Sequence, residues 1–486
     1  MTHVRLRVAV VATTLLATVA ATTHRAAEPR VTIDTGALEG TVDSATGVLV
    51  FRGIPYAAPP VGVLRWRPPQ PAPRWTSVRP ARDLGHNCMQ GQPYSDIDPF
   101  VAGVSEDCLY LNVWTTSVGT AAPRRPVLVW IHGGGFFAGF GGEERHNGAR
   151  LAQKGAVVVT LNYRLGPFGF FAHPALASES PRGASGNYGL LDQIAALRWA
   201  NRNIARFGGD PSRVTIFGES AGGMSVGALI ASPLAKGLFE RAILESGTGV
   251  GSMVHRDSAQ KLGVAFAESL GIHGSSSGAA KALRAVNADT ILATAARGGP
   301  TGGGPRFWPI VDGWVLPHPV DSALLRGSAN LVPVIAGTNR DEGDDWMGAP
   351  TRAFARLVSM RGTPVWVYMF SRVGEDSANQ RRGAYHSAEI TFVFGRPHPI
   401  LESAGNTPYD STLADAMSDY WVAFATNGDP NGAPAAEKWP KWPRYAKETD
   451  ALLEFGPEIA ERTMVKRMAY DSIDAVARSR GGLRPR

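Results

Sequence analysis

The sequence has 486 residues, of which 44% are hydrophobic and 19% charged, with 56 glycines and 35 prolines. This composition indicates an ordered, loop-rich globular protein, and the length suits either one large α/β enzyme core or up to three domains. The formal net charge is +7, but two arginines before residue 8 and four after residue 477 leave +1 for residues 22–477. That balance excludes the basic surface expected of a nucleic-acid-binding protein.

The N-terminus has the pattern of a secretory leader. Residues 1–7 are basic, residues 8–21 are apolar, and small residues precede position 22. Since the apolar stretch is short for a membrane span, we expect cleavage after residue 21 and a secreted or extracytoplasmic protein, with an uncleaved anchor as the alternative. Residues 478–486 form a basic tail that we expect to be solvated.

Cys88 and Cys108 are the two cysteines of the chain. Export would place them in an oxidising compartment, which favours a disulfide bond between them. Two buried free thiols are the alternative, whereas a metal site would lack the usual histidine partners at short spacing.

Apolar, β-rich runs recur along the chain and are bounded by glycine, proline or polar residues. They cover residues 126–131, 156–161, 213–217, 332–336 and 364–370. Near-continuous apolar strands indicate burial on both faces, and segments between them, such as residues 190–199, have helical spacing. The sequence therefore predicts an α/β fold with a mostly parallel central sheet flanked by helices.

A Gly-x-Ser-x-Gly pattern marks a candidate nucleophile. It occurs three times, around Ser220, Ser225 and Ser276. Only Ser220 follows a predicted strand directly and precedes a helix-like run, which is the arrangement that raises a hydroxyl above a sheet. We expect side chains at Gly218 and Gly222 to collide with neighbouring backbone. An ordinary glycine-rich turn is the alternative interpretation of the pentapeptide.

A second glycine-rich segment, His132 to Phe136, follows the strand at residues 126–131. Exposed backbone N–H groups at such a turn can stabilise the oxyanion of acyl transfer, so Gly134, Gly135 and Ala221 are the candidate donors. A dinucleotide-binding interpretation fails, because no acidic residue follows at the required spacing and no helix opens after the glycines.

A serine nucleophile needs a histidine base and an acid that orients it, in the chain order Ser, acid, His. Five histidines follow Ser220, at positions 255, 273, 318, 386 and 398. Glu342 follows the strand at residues 332–336, but Asp341, Asp344 and Asp345 are close neighbours. Spacing alone therefore favours Glu342 only weakly and leaves the base open.

Several motifs together resemble the type-B carboxylesterases, a family of α/β hydrolases, over nearly the whole chain. The matching segments are 51–62 (FRGIPYAAPPVG) with Leu64-Arg65, 106–114 (EDCLYLNVW), 132–136 (HGGGF), 207–211 (FGGDP), 217–223 (FGESAGG), 341–343 (DEG), 383–390 (GAYHSAEI), Tyr420-Trp421 and 428–431 (GDPN).

The resemblance implies a role for each matching residue. It implies Ser220 as nucleophile, Glu342 as acid and His386 as general base, with oxyanion donors at Gly134, Gly135 and Ala221. It also implies a Cys88–Cys108 disulfide and an Arg65–Glu106 ion pair, and it places Glu219 and Ser246 behind the triad. Residues 22–477 would form one α/β-hydrolase domain that acts on a small-molecule ester with no metal or cofactor.

The sequence departs from the family in two places. Cholinesterases carry a tryptophan between the two cysteines that binds choline, and residues 89–107 contain none, so a choline ester is not expected. Phe307 and Trp308 resemble an acyl-pocket wall, although adjacent aromatics are as often plain core. Only 44 positions separate Glu342 from His386, fewer than in related enzymes, so the domain is shortened between residues 343 and 385.

These features predict a secreted serine carboxylesterase for neutral esters. Two alternatives are a non-catalytic binding module on the same fold and an esterase impaired by the short segment before His386. A Ser-x-x-Lys match at Ser258 and Lys261 also raises a penicillin-recognising enzyme, but no partner motif accompanies it.

Overall fold

The computed structural model describes residues 28–91, 98, 100, 102–119, 123–297, 306–375, 377–395, 407–432 and 434–479. The predicted leader, the glycine-rich segment 299–304, His398 and positions 480–486 of the basic tail lie outside the described residues.

Eighteen strands are found in the described residues. They are β1 Arg30–Ile33, β2 Gly36–Glu39, β3 Thr41–Val42, β4 Leu49–Pro55, β5 Arg79–Pro80, β6 Asn87–Cys88, β7 Val104–Ser105, β8 Tyr110–Thr115, β9 Arg125–Ile131, β10 Val157–Leu161, β11 Gly209–Glu219, β12 Arg241–Glu245, β13 Val254–His255, β14 Ile310–Val311, β15 Val334–Asn339, β16 Val365–Phe370, β17 Leu452–Phe455 and β18 Ile459–Arg462.

Fifteen α-helices are found in the same residues. They are α1 Ala149–Gln153, α2 Gly166–Phe170, α3 Pro174–Ser178, α4 Tyr188–Asn203, α5 Ala221–Ala231, α6 Arg256–Ser269, α7 Ser277–Ala285, α8 Ala288–Ala296, α9 Val320–Arg326, α10 Ala349–Ser359, α11 Ser377–Arg382, α12 Ile390–Val393, α13 Pro408–Asn427, α14 Pro434–Glu437 and α15 Arg467–Ser479. A single turn of π-helix, Asp344–Gly348, precedes α10.

Eleven of the strands form one twisted central sheet, in the order β18-β17-β16-β15-β12-β11-β9-β10-β8-β4-β3. The seven strands from β17 to β10 run parallel, and the strands beyond them on either side are antiparallel. The predicted mostly parallel sheet flanked by helices is therefore confirmed. Parallel strands bring their carboxyl ends to one edge, and the loops that follow β9, β11 and β15 meet there.

Burial on both faces explains why the parallel strands have continuous apolar sequences. Every residue of β10, β15 and β16 is buried, with one core packed on each face of the sheet. All five predicted runs are strands of this sheet, and the predicted helical segment 190–199 lies inside α4. The predicted tail at 478–486 begins within α15, which ends at Ser479.

Two cross-links fix the segment between β6 and β8. Cys88 and Cys108 form the predicted disulfide, with an S–S distance of 2.05 Å and a separation of 20 residues. Arg65 forms the predicted ion pair with Glu106, donating from Nε to Oε1 at 2.6 Å. Because both side chains are largely buried, the ion pair is part of the protein interior and orients the loop that carries Glu106, between β7 and β8.

In the part of the chain that the structure describes, no helix combines the length and the apolarity that a membrane crossing requires.

We predict that replacing both cysteines, in Cys88→Ala/Cys108→Ala, lowers the free energy of unfolding by about 3 kcal/mol, because the bond restricts the unfolded chain. Urea denaturation of both proteins measures the difference. Dithiothreitol should lower the stability of the wild type and leave the variant unchanged. Equal stabilities without reductant would contradict the prediction.

Candidate active site

Ser220 lies at the sharp turn between β11 and α5. Its φ of 56° and ψ of −120° are strained values for a residue with a side chain. A Cβ atom at Gly218 would lie 2.5 Å from the carbonyl oxygen of Ile131, and one at Gly222 would overlap the same oxygen. Side chains at both glycines would therefore collide with the backbone, as predicted. Their absence lets Ser220 lie close to the end of β9.

His386 contacts Ser220 on one side and Glu342 on the other. Its Nε2 atom is 2.9 Å from the Oγ atom of Ser220, and its Nδ1 atom is 2.7 Å from Oε2 of Glu342. A carboxylate can only accept, so Nδ1 donates and the neutral ring leaves Nε2 free to accept the serine proton. The structure therefore brings together the three residues that the resemblance implied for the triad.

Glu342 is held by two further hydrogen bonds to its other oxygen, Oε1. The backbone N–H of Asn339, at the end of β15, donates to it at 2.7 Å, and Ser246 Oγ donates at 2.7 Å. The side chain is 1% exposed. These bonds fix the carboxylate's position beside His386.

The competing acids have other partners. The Asp341 carboxylate accepts from the backbone N–H of Ala384 at 2.8 Å and pairs with Arg340. Asp344 pairs with Lys466 at 2.6 Å. Asp345 is exposed.

The competing serines also have local roles. Ser225 is buried within α5 and accepts from Gln193 at 3.0 Å. Ser276 caps the N-terminus of α7, where its Oγ accepts from Ala279.

The glycine-rich segment after β9 packs directly against Ser220. A Cβ atom at Gly133 would lie 3.2 Å from the Cβ of Ser220, so the loop and the serine touch. Gly134 and Gly135 have φ values of 98° and 64°, which favour glycine. Within the described residues, no protein acceptor is found for the N–H groups of Gly134 and Gly135, and Ala221 opens α5, where the first N–H groups lack helical partners.

His132 holds this loop in place. Its Nδ1 donates to the carbonyl oxygen of Gly133 at 2.9 Å, and its ring stacks on Tyr163 with centroids 4.5 Å apart. Burial lowers the pKa of His132 to about 4, so the ring stays neutral. It therefore serves as a fixed part of the loop rather than as a second base.

Three further carboxylates lie behind the triad. Glu219 Oε1 is 3.2 Å from His386 Nε2, whereas Glu245 and Glu389 are 0% exposed. Glu245 accepts from Trp421 Nε1 at 2.7 Å, and burial raises its pKa to about 8. Burial, with Glu219 and Glu342 nearby, also holds the pKa of Glu389 well above its ordinary value. Sequence reasoning missed Glu245 and Glu389, although their placement within apolar runs was a usable signal.

The site is open to solvent at His386, on the side of the segment that precedes this residue. The π-helical turn leads directly into α10, which is followed by β16. The side chain of His386 is 32% exposed. Of the two expected wall residues, Phe307 packs in the core against Phe266, while Trp308 is half-buried beside Phe136.

Comparisons with known proteins agree with this geometry. The sequence profile of the carboxylesterase family matches residues 27–348 and 343–473. The fumonisin B1 esterase of Sphingopyxis macrogoltabida is 35% identical and aligns with 86% of each chain. The para-nitrobenzyl esterase of Bacillus subtilis is 35% identical over 88% of this chain and 95% of its own.

Solved structures show the same fold. A thermophilic PNB esterase superimposes with a TM-score of 0.83 at 33% identity, covering 92% of this chain and all of that one. The carboxylesterase EST55 of Geobacillus stearothermophilus gives a TM-score of 0.77 at 32% identity, over 91% and 99% of the two chains. The fold is therefore that of the α/β hydrolases.

The charges around His386 predict its pH dependence. Burial favours the neutral ring, but the carboxylates of Glu219 and Glu342 outweigh burial and raise the pKa of His386 to about 10. Below that pKa the imidazole carries a proton on both nitrogens, so Nε2 cannot accept one from Ser220. We therefore expect kcat/KM for ester hydrolysis to rise with pH through the neutral and alkaline range.

Glu219→Gln removes one of those charges, so the pKa of His386 should fall and the acidic limb should move to lower pH by about one pH unit or more. Profiles of kcat/KM against pH for wild type and variant measure the shift. Glu240→Gln, which neutralises an exposed carboxylate, is the control. An unchanged limb in Glu219→Gln would refute the electrostatic account.

Proposed function

We propose that Ser220, His386 and Glu342 are the catalytic triad of an exported esterase for neutral esters. The proposal starts from the family, since the chain belongs to the carboxylesterases. The protein is a carboxylic ester hydrolase of the serine type. The observation that carries the residue assignment is the unbroken hydrogen-bond chain from Ser220 through His386 to Glu342.

In the first half of the reaction, Ser220 becomes acylated. His386 Nε2 takes the Oγ proton as Oγ attacks the ester carbonyl carbon, and negative charge develops on the carbonyl oxygen. The N–H groups of Gly134, Gly135 and Ala221 stabilise that oxyanion. The bond to the alcohol then breaks, and His386 passes its proton to the departing oxygen.

In the second half, water releases the acid. His386 accepts a proton from water, the resulting hydroxide attacks the acyl carbonyl, and the proton returns to Ser220 Oγ. Glu342 stays ionised and stabilises the imidazolium in both halves. Its hydrogen bonds from Asn339 and Ser246 support this role, since they hold the carboxylate in place beside the ring.

The buried carboxylates favour neutral substrates. Glu219 lies 3.2 Å from His386 Nε2, and Glu342 lies 2.7 Å from His386 Nδ1. An anionic acyl or alcohol group brought into this partly buried site would be repelled by those charges. Uncharged carboxylic esters therefore suit the site better than anionic ones.

Export is supported by the leader pattern in residues 1–21 and by the disulfide. Disulfides persist in oxidising compartments and are rare in the cytosol.

A non-catalytic module would not need the strained Ser220 turn, which costs on the order of 1–3 kcal/mol in backbone energy. The retained contacts of His386 likewise favour an active enzyme over one impaired by the short segment.

Ser220→Ala should reduce kcat for ester hydrolysis by roughly 10⁶, as removal of a triad nucleophile does in subtilisin. Turnover of p-nitrophenyl acetate measures the loss, and circular dichroism checks the fold. Ser225→Ala is the matched control, because Ser225 follows the same Gly-x-Ser-x-Gly pattern and is buried in α5. Retained turnover in Ser220→Ala with loss in Ser225→Ala would overturn the assignment.

The open side of the site predicts a weak dependence on acyl length. An enclosing pocket gains about 0.8 kcal/mol for each buried methylene, whereas an open cleft leaves the chain in water. We expect kcat/KM to change little from p-nitrophenyl acetate to the hexanoate and decanoate. A steep rise with each added methylene would show that the acyl chain is enclosed.

A further inference from the structure

Trp346 is the one exposed tryptophan of the chain. All twelve tryptophans lie within the described residues, and the other eleven are buried or half-buried, whereas Trp346 is 51% exposed. It lies on the π-helical turn between Glu342 and α10. A single exposed aromatic residue is not unusual in itself, so the interest of Trp346 lies in its position next to His386.

The indole lies beside the ring of His386. The two ring centroids are 5.8 Å apart and the planes are inclined by 43°. This spacing falls within the range in which aromatic rings contact each other. An exposed face next to the general base is therefore a surface that a bound substrate can reach.

The turn that carries Trp346 is anchored on both sides. Lys466 Nζ donates to Asp344 at 2.6 Å and to the carbonyl oxygen of Arg340 at 2.6 Å. A Cβ atom at Gly348 would overlap the hydroxyl of Tyr470 in α15, so Gly348 is in close contact with that helix. Trp346 is thus presented by a fixed backbone, as a residue that selects substrates must be.

The proton transfers determine which part of an ester lies beside His386. Nε2 receives the proton of Ser220 and delivers it to the departing alcohol oxygen, so that oxygen must come within hydrogen-bond distance of Nε2. A group attached to the alcohol oxygen then extends from the imidazole. The neighbouring exposed surface is the indole of Trp346.

We propose that Trp346 is a specificity-determining residue that binds the alcohol portion of the ester and selects alcohols carrying an aromatic ring. The inference rests on the proposed function, because it takes Ser220 and His386 as the reacting groups. It adds the part of the substrate that the open side of the site recognises.

The test compares three acetates, those of 2-phenylethanol, 2-cyclohexylethanol and ethanol. All three give the same acetyl enzyme, so differences in kcat/KM report only binding and acylation, the steps in which the alcohol portion is still present. Wild type, Trp346→Ala and Trp346→Phe are assayed. Met468→Ala is the control, since Met468 is an 89% exposed apolar residue of α15.

We expect wild type to prefer the phenylethyl over the ethyl ester, and Trp346→Ala to lower that preference about threefold to tenfold, the range for one aromatic pair. The cyclohexyl ester should lose less, Trp346→Phe should retain most of the preference, and Met468→Ala should match wild type. A second series, ethyl esters with phenylacetyl and acetyl groups, should show an unchanged ratio in Trp346→Ala.

Three outcomes would overturn the inference. An unchanged alcohol preference in Trp346→Ala would show that the indole makes no contact, and equal losses on all three acetates would show that it only supports His386. A change confined to the acyl series would place it against the acid portion. Failure of the wild type to hydrolyse any of the esters would instead overturn the proposed function itself.

Discussion

Close backbone contact at Ser220 is the constraint on which the rest of the site depends. The end of β9, the end of β11 and the start of α5 meet there with only glycine between them, at Gly218, Gly222 and Gly133. Any side chain at these positions would separate the segments and move the serine hydroxyl relative to the glycine-rich loop. Because the oxyanion donors and the nucleophile belong to these same segments, one steric condition sets their relative positions.

The carboxylates around His386 have two opposing effects on catalysis. Glu342 orients the ring and stabilises the imidazolium that forms during proton transfer, which lowers the energy of the charged intermediates. Glu219 stabilises the same cation in the resting enzyme. Below the raised pKa of His386, less of the enzyme therefore has the neutral imidazole that can act as a base. Burial offsets part of this effect by holding the pKa of Glu245 and Glu389 high, which limits the negative charge around the ring.

The sequence predicts the parallel centre of the fold well, because β9, β10, β11, β15 and β16 are apolar on both faces and cannot be mistaken for surface segments. It misses β12, whose five residues begin with Arg241 and end in Glu245, so that only three consecutive apolar residues lie between two charged ones. Spacing alone could not separate Glu342 from Asp341, since the loop after β15 decides which carboxylate turns toward His386 and which caps Ala384. The position of Trp346 beside His386 was likewise invisible, because it follows from how the π-helical turn is anchored rather than from any motif.

The residues of the site come from distant parts of the chain, with 166 positions between Ser220 and His386. The turn at Ser220 is built from neighbouring elements, whereas His386 reaches it only after β15 and β16 have joined the sheet. Contacts over such separations form slowly, because the long intervening loop must be closed before they contribute. Hydrolytic activity should consequently be among the last properties to appear during refolding, later than the helical signal of α4 and α5. A newly synthesised chain would remain inert until its C-terminal half had docked.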